Sequence, residues 1–404
     1  MANVIEGNAV IGQSGGPTAV INQSLVGVIE AVAGAPAIQR LLGARHGVRG
    51  VIEEKFIDLK GLDAELLERV AQTPCAALGS TRDKPDQAYC EKIFTSFKKN
   101  NVRYFFYVGG NDSADTARIV NEMAKAANYE LRTFHVPKTI DNDLRVTDHC
   151  PGYGSAARFV ASAIQGDDRD NASLPGVKID IIMGRHAGWL TAASVLGRRD
   201  DVDGPHLVYV PEVRLSKQKF IDDVAEVYGR LGRCLVAMSE GVEDETGKAW
   251  GEIVVAQGER DAHGNVQLSG SGALGDYFAD VVKKDVASKL GGKKLRVRAD
   301  TFGYLQRSFA GYASPVDQAE ARTAGRKAVE FAMSGDVDGS VAFRRNEGAA
   351  YGISYFRAEL RDVARETKDL PREWINEAGN GIKQEYINYA LPLTGTLPVI
   401  GKLF

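Results

Sequence analysis

The chain has 404 residues, 44% of them hydrophobic, with 50 basic against 53 acidic side chains and a formal net charge of −3. That length supplies two or three domains with buried cores, and the balanced charge excludes nucleic-acid binding by bulk electrostatics. The four cysteines, Cys75, Cys90, Cys150 and Cys234, lie far apart with no CxxC pair, which excludes a disulfide framework or zinc knuckle and points to the cytoplasm. No apolar run approaches the ~20 residues of a membrane span, and the opening residues lack the basic and apolar regions of a signal peptide.

Along the chain, short apolar runs alternate with helical patterns. "AVIG" (9–12) precedes "TAVINQSLVGVIEAV", and "VRYFFYVGG" (102–110) precedes "SADTARIVNEMAKAA". "RTFHVP" (132–137) leads into a polar loop, and "VKIDIIMG" (177–184) precedes "HAGWLTAASVLG". "HLVYVP" and "RCLVAMSEG" continue the rhythm. Near-continuous apolar strands alternating with helices predict buried parallel sheets in an α/β architecture. The polar stretch 243–272 reads as a hairpin or insertion, a helix is expected over roughly 315–334, and the last residues mix a short helix with a Pro/Gly tail.

Five of the apolar runs end in Gly-rich or charged turns: "GQSGGPT", "VGGNDS", "PKTIDND", "MGRHAG" and "SEGV". Open α/β sheets bind ligands at the carboxyl ends of their strands, so the turns together suggest one assembled site. Each turn alone also has a plain structural reading, because Gly, Pro, Asn and Asp build turns.

In "SGGPT", Gly15 and Gly16 would let backbone N–H groups approach a phosphate, with a helix N-terminus behind them. In "GGNDS", Asn111 and Asp112 offer oxygen ligands suited to Mg²⁺ or its waters, and Ser113 could instead cap the next helix. "KTIDND" carries what phosphoryl transfer needs. Asp141 could take a proton from a sugar hydroxyl. Asp143, two residues on in an extended loop, would point the same way. Thr139 could donate to a phosphate, and Lys138 supplies positive charge. Met183 and Gly184 lead to Arg185, which could stabilise a transferring phosphoryl group; His186 beside it reads as structural. Glu240 suits sugar hydroxyls. Arg298 and Arg307 offer forked cations for a terminal phosphate, although isolated arginines are commonly surface charges. No GxxxxGK[ST] occurs. "GSGALG" (270–275) matches GxGxxG but follows a polar stretch, so it reads as a turn opening a helix rather than a dinucleotide site.

"SGG", "LGSTR", "GGNDS", "PKTIDND", "MGRHAGWLT", "SEG" and "GYLQR", in this order from about residue 8 to 335, resemble the phosphofructokinase family. The resemblance implies two Rossmann-like three-layer α/β domains with the active site in the cleft between them. Residues 1–150 with about 307–360 would form the phosphoryl-donor domain, and 151–306 with about 361–404 the sugar-phosphate domain. It implies Mg²⁺-dependent phosphorylation of the 1-hydroxyl of fructose 6-phosphate, with Asp141 as general base. Gly15, Gly16, Arg82, Asp112, Ser113 and Lys138 would hold the donor. Thr139, Asp141, Met183, Gly184, Arg185, Glu240, Tyr304 and Arg307 would contact the sugar phosphate. Arg298 would reach the 6-phosphate of a neighbouring subunit, which implies a homodimer or homotetramer with shared sites.

Two positions bear on the donor. ATP-using members resemble "GGDGS" and "PGTIDND"; here Asp112 and Lys138 replace the relevant glycines, as in the pyrophosphate-dependent branch. A carboxylate at 112 would repel a nucleotide, and an amine at 138 would reach the reacting phosphates. The chain departs from the family at Asn111, where most members place an Asp near Mg²⁺. It departs again at Gly176, where short bacterial members have a second phosphate-binding arginine, with Lys178 the candidate substitute. The expected activity is reversible phosphoryl transfer from pyrophosphate to fructose 6-phosphate. The alternatives are the same kinase using ATP, a non-catalytic sugar-phosphate sensor, and, on "GSGALG" alone, a nicotinamide oxidoreductase.

Overall fold

A computed structural model describes residues 5–255, 272–348, 350–364 and 367–403. The chain divides into two compact units, residues 1–155 with 307–368 and residues 156–306 with 369–404.

The first unit is built on a seven-stranded sheet. Its strands are β1 (Gly7–Gln13), β2 (Ile38–Ala44), β3 (Phe56–Asp58), β4 (Val102–Gly109), β5 (Arg132–Pro137), β10 (Asp338–Arg345) and β11 (Ile353–Ala358). The order is β11-β10-β5-β4-β1-β2-β3. The five inner strands run parallel, and each edge adds one antiparallel strand, β3 on β2 and β11 on β10. β4 shows why the sheet is buried on both faces. Tyr104, Phe106 and Val108 pack with the helices Ile21–Ala33 and Pro315–Ser334, while Phe105 and Tyr107 pack with the helices Gln87–Lys99 and Asn111–Ala126. Successive side chains of a strand face opposite ways, so an unbroken apolar run fills two cores at once. The helix expected near 315–334 spans Pro315–Ser334, with Pro315 in its first turn and the Ser314 hydroxyl accepting from the Asp317 N–H. These are standard start signals.

The second unit holds a four-stranded parallel sheet of β6 (Val177–Ile182), β7 (Leu207–Tyr209), β8 (Cys234–Ser239) and β9 (Val297–Thr301), in the order β7-β8-β6-β9. Ile179, Ile181, Val236 and Met238 pack with Phe220 and Val224 of the helix Lys217–Leu231 and with Phe278 of the helix Ala273–Val281. The latter helix starts directly after Gly272, so the described part of "GSGALG" is a helix entry. In the stretch expected as a hairpin or insertion, a one-turn hairpin pairs Glu243 with Ala249, a short helix follows over Trp250–Val255, and 256–271 lie outside the described residues. The Pro/Gly tail carries the short helix Gln384–Ala390. Among the described residues, no helix is long and apolar enough to cross a membrane.

Candidate functional site

In the first unit, β1, β4 and β5 are adjacent, and each ends in one of the motif turns. After β1, Gly15 takes the left-handed φ of +76°, and its N–H donates to the Thr81 carbonyl at 2.8 Å. A side chain there would meet the Lys138 ammonium, and one at Gly16 would overlap the Arg307 guanidinium, with Arg82 just beyond. The bare glycine backbone is thus what leaves room for Lys138, Arg82 and Arg307. One expectation fails. The helix following "SGG" begins only at Ile21, with Pro17 to Val20 intervening. Side-chain cations supply the positive charge beside these glycines.

Lys138 is 3% exposed, and its ammonium donates to the Gly16 carbonyl at 2.6 Å. Burial pushes its pKa down to about 8; Asp141 and Asp143 favour the charged form, while Arg307 and Arg82 oppose it. The cation is therefore under-compensated, and an incoming anion would relieve it.

Next comes the turn itself. The Thr139 hydroxyl accepts the Asp141 N–H at 3.0 Å and hydrogen bonds the Asp143 carboxylate. The loop is not extended, as the two-residue spacing of Asp141 and Asp143 suggests. Asn142 is left-handed, with φ of +56°, and its side-chain oxygen accepts from the Cys150 N–H at 3.0 Å. Asn tolerates this region because its side chain can bond locally. Asp143 is turned inward, where burial pushes its pKa up against the Thr139 bond and the Lys368 charge. The Lys368 N–H also ties the Asp143 carbonyl at 2.7 Å.

After β4, the helix Asn111–Ala126 begins directly, capped by backbone at Gly110. Ser113 does not cap it; the residue is buried, and its hydroxyl bonds that of Ser14. The Asn111 side-chain oxygen is buried with no hydrogen-bond partner, an orphan acceptor that fits a hard cation or its water. Asp112 stands outward, 3.1 Å from Lys84 on the surface. The two residues expected to bear on donor choice therefore have different partners. Lys138 faces glycine backbone, and Asp112 faces an exposed lysine that the motifs gave no reason to notice.

In the second unit, β6 delivers Met183 and Gly184 to buried positions and leaves Arg185 and His186 exposed. The Ser239 hydroxyl donates to the Gly184 carbonyl at 2.5 Å, and the Gln306 side chain accepts from the Met183 N–H at 3.2 Å. The Gly188 N–H is held by Glu212 at 2.8 Å. Glu240 is buried, its N–H bonded to the Ile182 carbonyl at 2.9 Å. "MGRHAG", "SEG" and "YLQR" are thus drawn together, whereas Tyr304 is exposed and Arg298 lies exposed on the edge strand β9. Gly176 has a local reason: any side chain would overlap the Arg296 carbonyl. Lys178 is no free substitute for an arginine there, because Asp167 holds it at 2.5 Å and Asp300 at 3.3 Å.

Ser14, His135, Asn142, Lys368, Glu212 and Gln306 escape the sequence reading. His135 is a case in point. Its ring bonds the Gly109 carbonyl and the Ser340 hydroxyl at 2.8 Å each, and burial pushes its pKa down to about 4. It braces the turn after β4 as a neutral ring, and only the strand pairing puts it there.

The phosphofructokinase family model matches residues 8–332. The chain belongs to the phosphofructokinase family. A pyrophosphate–fructose 6-phosphate 1-phosphotransferase of Rhodospirillum rubrum is 51% identical over 97% of this chain and 95% of its own. One of Xanthomonas campestris is 37% identical over 96% of this chain and 91% of its own. A crystal structure of the pyrophosphate-dependent phosphofructokinase of Marinobacter aquaeolei has a TM-score of 0.85 at 32% identity, covering 98% of this chain and 94% of that one. These likenesses also fit the expected fold class, α/β units with parallel sheets.

Proposed function

We propose that this family member transfers a phosphoryl group reversibly from pyrophosphate to the 1-hydroxyl of fructose 6-phosphate. The observation that carries the reading is Lys138, a buried and under-compensated ammonium beside the Gly15–Gly16 backbone, with Arg82 and Arg307 adjoining. A compact anion with several phosphoryl oxygens matches that group of donors. The printed names of the relatives point to the same donor and acceptor.

Asp141 is the general base for the sugar hydroxyl, and returns the proton when the reaction runs backward. Thr139 orients the turn through its bonds to the Asp141 N–H and the Asp143 carboxylate. Lys138 and Arg185 stabilise the charge on the transferring group. Gly15, Gly16, Arg82, Ser113 and Arg307 bind phosphate oxygens. Met183, Gly184, Glu240, Arg298 and Tyr304 recognise the sugar phosphate. Mg²⁺ would be held with the help of the orphan Asn111 oxygen and the phosphates, supplying charge neutralisation. The units divide the work, donor to the first and sugar to the second, in a cytoplasmic homodimer or homotetramer.

The deciding experiment compares pyrophosphate with ATP as donor at matched fructose 6-phosphate and Mg²⁺. Turnover with pyrophosphate at least ~100-fold above that with ATP is expected from the charge arrangement. Equal rates would sink the donor assignment, and binding of fructose 6-phosphate without turnover would favour a sensor.

A further inference from the structure

The second unit contains a carboxylate cluster with no role assigned above, next to Arg298, which pairs with Lys178 across β9 and β6. Along β6, Ile179 and Ile181 point into the core, so Lys178 and Asp180 share the opposite face. The parallel register sets Asp180 directly beside Asp300 of β9. Like charges so placed destabilise a sheet. The helix Tyr153–Ser173 adds Asp167 and Asp170 to the same spot. Four carboxylates thus surround one ammonium, that of Lys178.

Lys178 does not satisfy them. It bonds Asp167 Oδ1 at 2.5 Å and lies 3.3 Å from Asp300. Asp180 is 0% exposed, and when both groups are ionised neither of its carboxylate oxygens nor Asp167 Oδ2 has a hydrogen-bond donor. The two side chains can bond each other only if Asp180 keeps its proton, which burial beside Asp167 favours. A buried carboxylate without a partner is costly, so such groups are paired or bind metal. The geometry offers the second solution. One oxygen each from Asp167, Asp180 and Asp300 lies within 4.8 Å of the others. Two ligands of one ion are separated by at most twice the ion–oxygen distance, which is ~4.2 Å for Mg²⁺ and roughly 4.6–5.2 Å for Ca²⁺. An all-oxygen donor set selects a hard cation.

We propose that Asp167, Asp180 and Asp300 form a binding site for a hard divalent cation, distinct from the Mg²⁺ position at Asn111. Lys178 stays on Asp167 Oδ1 and trims the site's negative charge. The exposed Asp300, on the edge strand, gives the ion access from solvent. The ion ties β6, β9 and the helix Tyr153–Ser173 together, so it stabilises the unit rather than taking part in the chemistry.

The test is calorimetric titration of the full chain with CaCl₂, without pyrophosphate or sugar phosphate, beside thermal unfolding. The wild type should show one saturable site per chain, and Ca²⁺ at ~100 times its Kd should raise Tm by about 5 °C. Asp180→Asn keeps the shape and should lose both the heat and the shift. Asp300→Asn, on the accessible edge, should weaken binding by at least tenfold, while Asn111→Ala should leave it unchanged. No saturable binding in the wild type would mean that protons carry the excess charge, and would overturn the proposal. So would an Asp180→Asn chain that binds as the wild type does.

Discussion

Lys138 and Lys178 are both buried lysines beside Asp residues, one in each unit, yet their surroundings are opposite. Lys138 is desolvated next to glycine backbone and two arginines, and its pKa falls to about 8. Lys178 is also desolvated, but the Asp167 bond and the Asp180 and Asp300 charges outweigh burial and push its pKa up. One cation has too little compensating charge and the other has an excess. A buried lysine therefore signals ligand binding only when its compensation is incomplete. Lys138 is poised for an anionic substrate, while Lys178 is already committed to the fold.

Exchanging each lysine should separate the two roles. Lys138→Met should lower kcat by about 10²–10³-fold, the range for losing a preorganised charge donor, with Tm unchanged or raised. A rate within threefold of wild type would end the assignment of Lys138 to the reacting phosphates. Lys178→Met should do the reverse. It leaves buried carboxylates uncompensated, which costs about 3 kcal/mol, so its midpoint in urea should fall while kcat stays within about threefold at 15 °C.

The pH dependence sharpens the same contrast. Between pH 8 and the ordinary lysine range, the unfolded chain keeps the Lys138 proton and the folded chain has lost it. Folding stability contributed by this group therefore rises with pH through that window. Activity goes the other way. kcat/KM for pyrophosphate should fall as pH rises through about 8, and Lys138→Arg should lack that limb because arginine stays charged. A limb that persists in the arginine variant would belong to another group.

Asp112 tests whether donor choice needs burial. Its carboxylate is exposed and, among the described residues, pairs with Lys84, so it must act on a nucleotide by position and charge. Asp112→Gly should raise ATP turnover relative to pyrophosphate by roughly tenfold, the scale of about 1.4 kcal/mol. An unchanged ratio would leave Lys138 as the sole determinant. The smallest effect belongs to Lys84→Ala. A surface ion pair contributes less than about 1 kcal/mol, so Tm should move by under ~2 °C; a larger drop would show that the pair is more than a surface contact.

Much of this was legible before the fold. Strands β1, β4, β5, β6, β7 and β8 announced themselves because a strand covered on both faces is apolar throughout, as "VRYFFYVGG" is. β2 and β10 interrupt their apolar run with charged or polar residues, and β3, β9 and β11 are short or half-exposed, so the same signal was missing there. The motif turns fell at strand ends as read. What went astray was local geometry. The helix after "SGG" starts late, Asn142 breaks the extended reading of "DND", and Ser113 bonds Ser14 instead of capping a helix.

The sequence by itself determined the chemistry available: glycines beside hydroxyls, a lysine before paired carboxylates, and arginines far along the chain. Only the tertiary structure decided which charges meet. Lys138 lies near Gly16 and Arg307 because β1 and β5 flank β4 in one sheet and a distant segment returns to the same unit. Asp180 lies beside Asp300 because β9 pairs with β6 in that register. Electrostatic energy depends on separation and burial, and neither is written in chain order.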